Sequence, residues 1–217
     1  MKNKYVKRSK ISEAKFRKII MCFAMELDSQ KIATLTSLNR NTVNRYLGRV
    51  RSRIVELCDQ QTVRMRDAGE QTNHTVTPVA NTDSILPVFG IQAQQTHIYT
   101  EILKKSVYRK IQQHFKKKFS SSLPICAEWQ RYDAIVDLNG RWHYQLSPAH
   151  DRRQAAGECN GRIEDFLGFA RKRLAAVQLN GTDHFNLYLK ECEFRFNNRD
   201  ADLYKLLLKD FRENPMS

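Results

Sequence analysis

Two groups of residues in this chain have side chains and spacing suited to chemistry. The first is Arg40, Asn41, Thr42, Asn44, Arg45 and Arg49 within "SQKIATLTSLNRNTVNRYLGRVRSRI". Guanidinium, carboxamide and hydroxyl groups are the ones that bond base edges and grip phosphates. The second is Glu164 with Asp165 in "CNGRIEDFLGFARKRL", ahead of Arg171, Lys172 and Arg173. Adjacent acids can serve a divalent cation, or they can simply suit the positive end of a helix whose far end carries cations. Both uses are compatible with the residues.

The elements that would position the first group are helical. Ser12 is placed to cap a helix with Phe16, Ile19, Ile20 and Phe23 on one face. After it, small Ala33, a polar turn at Ser37, Leu38 and Asn39, and apolar Val43 and Leu47 have the layout of a helix-turn-helix. Leu38 is expected in the core, and Asn39 or Asn41 can cap the second helix. The arginines and asparagines then fall on its outer face. An ordinary helical hairpin inside a bundle is the bland alternative, but it has no need of so cationic an exposed face.

Charge agrees with that placement. The chain carries 37 Lys and Arg against 23 Asp and Glu, a net +14, and residues 1–60 hold 14 basic against 5 acidic side chains. Such a balance points to a polyanionic partner, double-stranded DNA first, although a merely basic protein would show it too. The basic tail "MKNKYVKRSK" reads as a flexible arm, either idle or laid along phosphates. Five cysteines, Cys22, Cys58, Cys126, Cys159 and Cys192, stand far apart, with neither zinc spacing nor a disulfide framework. The apolar run from Ile19 to Met25 is too short to cross a membrane and lacks a leader's layout. A cytoplasmic protein with reduced thiols, without a membrane partner, is expected.

Further along, "DQQTVRMRDAGEQTNHTVTPVANTDS" is a polar linker in which only "VRMRD" alternates with period two, as a short strand would. "ILPVFGIQAQQTHIYTEIL" reads as a hairpin, Lys104 to Phe119 as a helix, "LPICA" as a buried strand, "YDAIVDL" as a brief helix and "WHYQL" as a strand. Helices follow to the end, with Phe185, Leu189, Cys192 and Phe196 on one stripe and Pro215 stopping the last. The fold class is α/β, an all-α N-terminal region followed by a sheet and C-terminal helices. The expected domains are 1–58, the linker 59–84 with a degenerate first strand, and 85–217.

Residues 85–213 resemble the catalytic domain of bacterial insertion-sequence transposases of the ISXO-like group. The similarity lies in "PVFGI", in "EWQRYDAIVDL", in "IEDFLGFARKRL" and above all in "HFNLYLKECEFRFNNR" followed by "DLYKLLLKDFRENP". "KISEAKFRKIIMCFAMELDSQKIATLTSLNRNTVNRYL" is similar to the same group's helix-turn-helix region. The resemblance implies an RNase H-like mixed sheet, a DNA substrate, a possible homo-oligomer and a DDE site whose acids hold Mg²⁺ or Mn²⁺ for strand cleavage and transfer. Carried over residue by residue, it matches Glu164 to the third acid, a catalytic and metal-binding position, and Arg171 to a phosphate-facing cation. Asp67 is the candidate first acid, on the strand face shared with Val63 and Met65, but Ala68 stands where the family has Glu. Ala127 falls where the second acid belongs, and Glu128 reaches inward only if the chain slips by one residue. Cys159, Asn160, Gly161 and Arg162 replace the family's approach to Glu164, and Ser147 and Pro148 its Asn-His pair, whereas Asp133 matches a position outside the acids and reads as structural. The resemblance therefore implies a DNA-binding protein with a degraded two-metal site; the alternative is a working transposase.

Overall fold

The computed structural model describes residues 3–68, 88–103, 132–137, 142–145, 153–175 and 182–216. Its helices are α1 Glu13–Ala24, α2 Ser29–Thr36, α3 Arg40–Ala68, α4 Arg153–Ala175, α5 Thr182–Asn197 and α6 Leu203–Glu213. Its strands are β1 Phe89–Gln94, β2 His97–Ile102, β3 Ala134–Asp137 and β4 Trp142–Gln145. The chain is a mixed α/β protein that divides into two units, Met1–Glu56 with Asn198–Ser217, and Leu57–Asn197.

The first unit is built from capped helices. Ser12 accepts the Lys15 N–H at 3.3 Å, Asp28 that of Lys31 at 2.9 Å, and Asp202 that of Lys205 at 3.1 Å, each satisfying a donor the helix start leaves open. Phe16, Ile19, Ile20 and Phe23 line the buried stripe of α1, as the period of 3.6 requires. Helix α6 packs here too: the Phe211 ring stands edge-on to Phe16 at 5.7 Å. Arg53 on α3 grips Asp210 on α6 with two hydrogen bonds of 2.7 and 2.8 Å. The sequence expectation kept this last helix with the region 85–217; its apolar face of Leu207, Leu208 and Phe211 is instead buried in the N-terminal unit.

The second unit carries a four-stranded sheet of order β2-β1-β3-β4. The expected hairpin is β1 and β2, joined at Gln95 and Thr96, with Gln95 at φ 50°. All three pairings are antiparallel; a parallel member of the mixed sheet implied by the resemblance is not among the described strands. Phe89, Ile91, Ile98, Ala134 and Val136 present one face to Ile163, Phe166, Leu167 and Ala170 of α4 and to Phe185, Leu189, Cys192 and Phe196 of α5. This is an apolar core of the unit, and the stripe expected on α5 lies in it.

Four local expectations are corrected. "VRMRD" is not a strand, because α3 runs without interruption to Ala68; helix-forming side chains fill it, and the next glycine after Gly48 is Gly69. "YDAIVDL" is not a helix, for Ala134 to Asp137 pair between β1 and β4. The helix around Glu164 begins at Arg153, so Glu164 and Asp165 lie well inside α4 rather than at its start. A macrodipole acts on the first turn and gives them no special reward. Finally, the N-terminal tail is held: Tyr5 and Val6 are buried, and Val6 is bridged to Met216 by the Lys7 amide donating to the Met216 carbonyl at 2.7 Å and the Met216 amide donating to the Tyr5 carbonyl at 2.9 Å. Lys104–Phe119 and "LPICA" lie outside the described residues.

Candidate functional site

Helix α2 ends at Ser37, whose φ of 51° puts it in the left-handed region. The Ser37 and Leu38 amides then bond back to the Thr34 and Ala33 carbonyls at 3.3 and 3.1 Å. That closing pattern turns the chain sharply. Two residues later α3 starts, with the Asn39 side chain accepting the Asn41 N–H at 2.8 Å. Of the two expected caps, Asn39 is the one in use. Leu38 is half-buried.

The helical phase of α3 sorts its residues cleanly. Val43, Tyr46, Leu47 and Val50 are buried, whereas Arg40, Asn41, Asn44, Arg45 and Arg49 are exposed and Thr42 is half-buried. Arg40 donates to Ser29 at the start of α2, at 3.4 Å. The guanidinium carbons of Arg45 and Arg49 lie 5.6 and 6.0 Å from the Tyr46 ring centroid. Attraction to the ring face restricts both side chains while leaving their N–H forks for another acceptor. Sequence reasoning found the arginines but passed over Tyr46; its signal was the apolar series Val43, Tyr46, Leu47, Val50 at helical spacing.

The expected acids are not brought together in this way. Glu164 is exposed on α4, beside Ile163 and Phe166, which face the core. Asp67 sits in the last turn of α3 rather than on a sheet strand, and the block with Ala127, Glu128 and Trp129, like Ser147 and Pro148, lies outside the described residues. Among the described residues no group of three His, Cys, Asp or Glu is arranged to hold a metal ion. Among the described residues, one exposed carboxylate on α4 and one acid at the end of α3 are too few donors for a two-cation site. Arg171 and Lys172 are exposed, but Arg173 bonds Glu191 on α5 at 3.3 Å and stacks over Phe169 at 5.3 Å. Part of the basic tail of this helix therefore holds α4 to α5.

The recognisable sequence blocks meet one another structurally. A Cβ on Gly90 would land in the ring of Tyr132, so only glycine lets that ring lie across β1. Next to it, the Asp133 carboxylate accepts the Ala93 N–H at 2.7 Å, which agrees with a structural role for Asp133. In "LKECEFRFNN", Lys190 donates to the Thr100 carbonyl at 2.7 Å, Glu193 accepts from the Thr100 amide and hydroxyl at 2.8 and 2.6 Å, and Asn197 pairs both ways with Ile98 at 2.7 and 2.8 Å. Side chains of α5 thus occupy the open edge of β2, a position that otherwise invites foreign strands. Burial alone would lower the Lys190 pKa, but Glu193, Cys58 and Asp59 outweigh it and leave the ammonium raised. Burial also pushes the Cys58 thiol up, and that of Cys192 up to about 12. Neither is a nucleophile near neutral pH.

A protein of Haemophilus influenzae described as an uncharacterized transposase-like protein is 31% identical over 98 residues, which is 40% of this chain and 79% of that protein. The chain belongs to this family of transposase-like proteins. No protein-family model matches it. No solved structure matches it either. No described helix is long and apolar enough to cross a membrane.

Proposed function

We propose that the chain is a double-stranded DNA-binding protein of transposase descent, using α2 and α3 as a helix-turn-helix, in which metal-dependent strand cleavage and joining have been lost. The observation that carries it is the sorting of α3: Val43, Tyr46, Leu47 and Val50 inward, and Arg40, Asn41, Asn44, Arg45 and Arg49 outward. A helix held this way offers its N-terminal residues to base edges in the major groove and its arginines to phosphates. Membership of a transposase-like family supports DNA as the partner. Loss of catalysis is supported by Ala127 at the second acid position and by Asp67 on a helix.

Arg45→Ala is expected to weaken binding to a duplex by about 1–3 kcal/mol, and Glu164→Ala to leave it unchanged, as measured by fluorescence anisotropy. Arg45→Ala with wild-type affinity would sink the helix-turn-helix reading. A working transposase is the second reading, favoured by the accessibility of Glu164. Nicking or joining of a candidate element end by the purified protein in Mg²⁺ or Mn²⁺, abolished by Glu164→Ala, would establish it against the first.

A further inference from the structure

The tail ahead of α1 is a built structure, and its cations are left outside. Asn3 fixes its entry, accepting the Tyr5 N–H at 3.0 Å and donating to the Ile11 carbonyl at 3.3 Å. Tyr5 and Val6 are buried, so Lys7, Arg8 and Lys10 are exposed on a short anchored loop. Lys4 differs, being paired with Glu13 at 3.1 Å. Arg8 is held at φ 51°, a conformation a non-glycine residue keeps only where its surroundings enforce it.

Ser9 ties this loop to α3. Its hydroxyl donates to the Ile11 carbonyl at 2.9 Å and accepts the Ile11 N–H at 3.1 Å. The same oxygen lies 3.1 Å from the Tyr46 hydroxyl and shares with it a hydrogen bond in which either oxygen can be the donor. Tyr46 is the residue whose ring also carries Arg45 and Arg49. One side chain therefore sets the position of two cationic groups, the loop and the outer face of α3.

We propose that Lys7, Arg8 and Lys10 form a second, sequence-independent contact with the phosphate backbone of duplex DNA, prepositioned beside α3 through the Ser9–Tyr46 hydrogen bond. This rests on the DNA-binding reading above and adds a surface to it. A loop already fixed loses little conformational entropy on binding, which a flexible arm would lose in full. Two ammonium groups and one guanidinium on such a loop act by charge neutralisation with release of counterions.

The test uses the full chain and a labelled random-sequence duplex. The variant Lys7→Gln/Arg8→Asn/Lys10→Gln keeps a residue that tolerates the left-handed conformation at position 8. It is expected to melt as the wild type does, to bind about tenfold or more weakly, and to show a log-affinity against log-salt slope shallower by about 2–3, at about 0.9 for each phosphate no longer neutralised. Unchanged affinity and slope, while Arg45→Ala still weakens binding, would overturn the loop contact and leave the helix-turn-helix standing. Unchanged binding in both variants would instead remove the reading beneath it. Tyr46→Phe keeps the ring under Arg45 and Arg49 but releases Ser9; a partial loss of affinity is expected, and none would overturn the tether. Loss of binding to anionic lipid vesicles with duplex binding intact would also refute the proposal.

Discussion

At the scale of single residues, Lys190 and Glu193 show how far a charged side chain can be from the surface its type suggests. Both are buried, 3.0 Å apart, and both are engaged with Thr100 of the edge strand. Removing Lys190 leaves the Glu193 carboxylate buried with only the Thr100 amide and hydroxyl to offset its charge, which costs about 3–5 kcal/mol. Lys190→Met is accordingly expected to destabilise the second unit by that order, measured by urea titration, and to leave duplex binding by the first unit nearly intact. A loss under about 1 kcal/mol would mean that the pair is solvated in solution. The sequence concealed this pair because a lysine and a glutamate three residues apart read as a solvent-facing couple on a helix. Arg45 was legible for the opposite reason: Val43 and Leu47 define a buried side, so the arginine had to be outside.

At the scale of elements, local signals and pairing divide the outcome. Helices α1 and α5 were legible from stripes at 3.6 spacing, and α1 also from Ser12 ahead of it, whereas the caps Asp28 and Asp202 ahead of α2 and α6 went unread. Strand β3 was not, since Ala134, Ile135 and Val136 are all buried and a strand covered on both faces has no alternation to read. The reverse error occurred at "VRMRD", where alternation by chance sits inside a helix. The caps also make the first unit sensitive to acid. Backbone N–H groups of Lys31 and Lys205 hold the Asp28 and Asp202 carboxyls below their usual value of 3.8. A lowered acid contributes stability above its unfolded pKa and gives it up as pH falls through the folded one. Melting temperature is expected to drop on acidification below about pH 4, and Asp28→Asn, a neutral cap, to flatten that drop. An identical acid limb in the variant would show that other carboxyls set it.

At the scale of the whole molecule, the first unit is discontinuous: residues 198–217 close a core begun by residues 1–56. Nothing local announces this, because the contact of Phe16 with Phe211 and the clasp of Arg53 on Asp210 join residues with most of the sequence between them. A chain cut after Asn197 lacks Leu207, Leu208 and Phe211, each worth about 1.5–3 kcal/mol of burial. It is expected to lose the cooperative melting of α1 to α3 together with duplex binding; retention of both would show that α6 is an accessory.

The bridge between Val6 and Met216 bears on synthesis as well. Chains ordinarily fold domain by domain as they leave the ribosome, the first-made part first. Here helices α1 to α3 wait for a wall that is translated only after the whole second unit has emerged. A product interrupted by a premature stop would have the arginines of α3 but not the framework that presents them, so under the proposed function it would not compete with the finished protein for DNA.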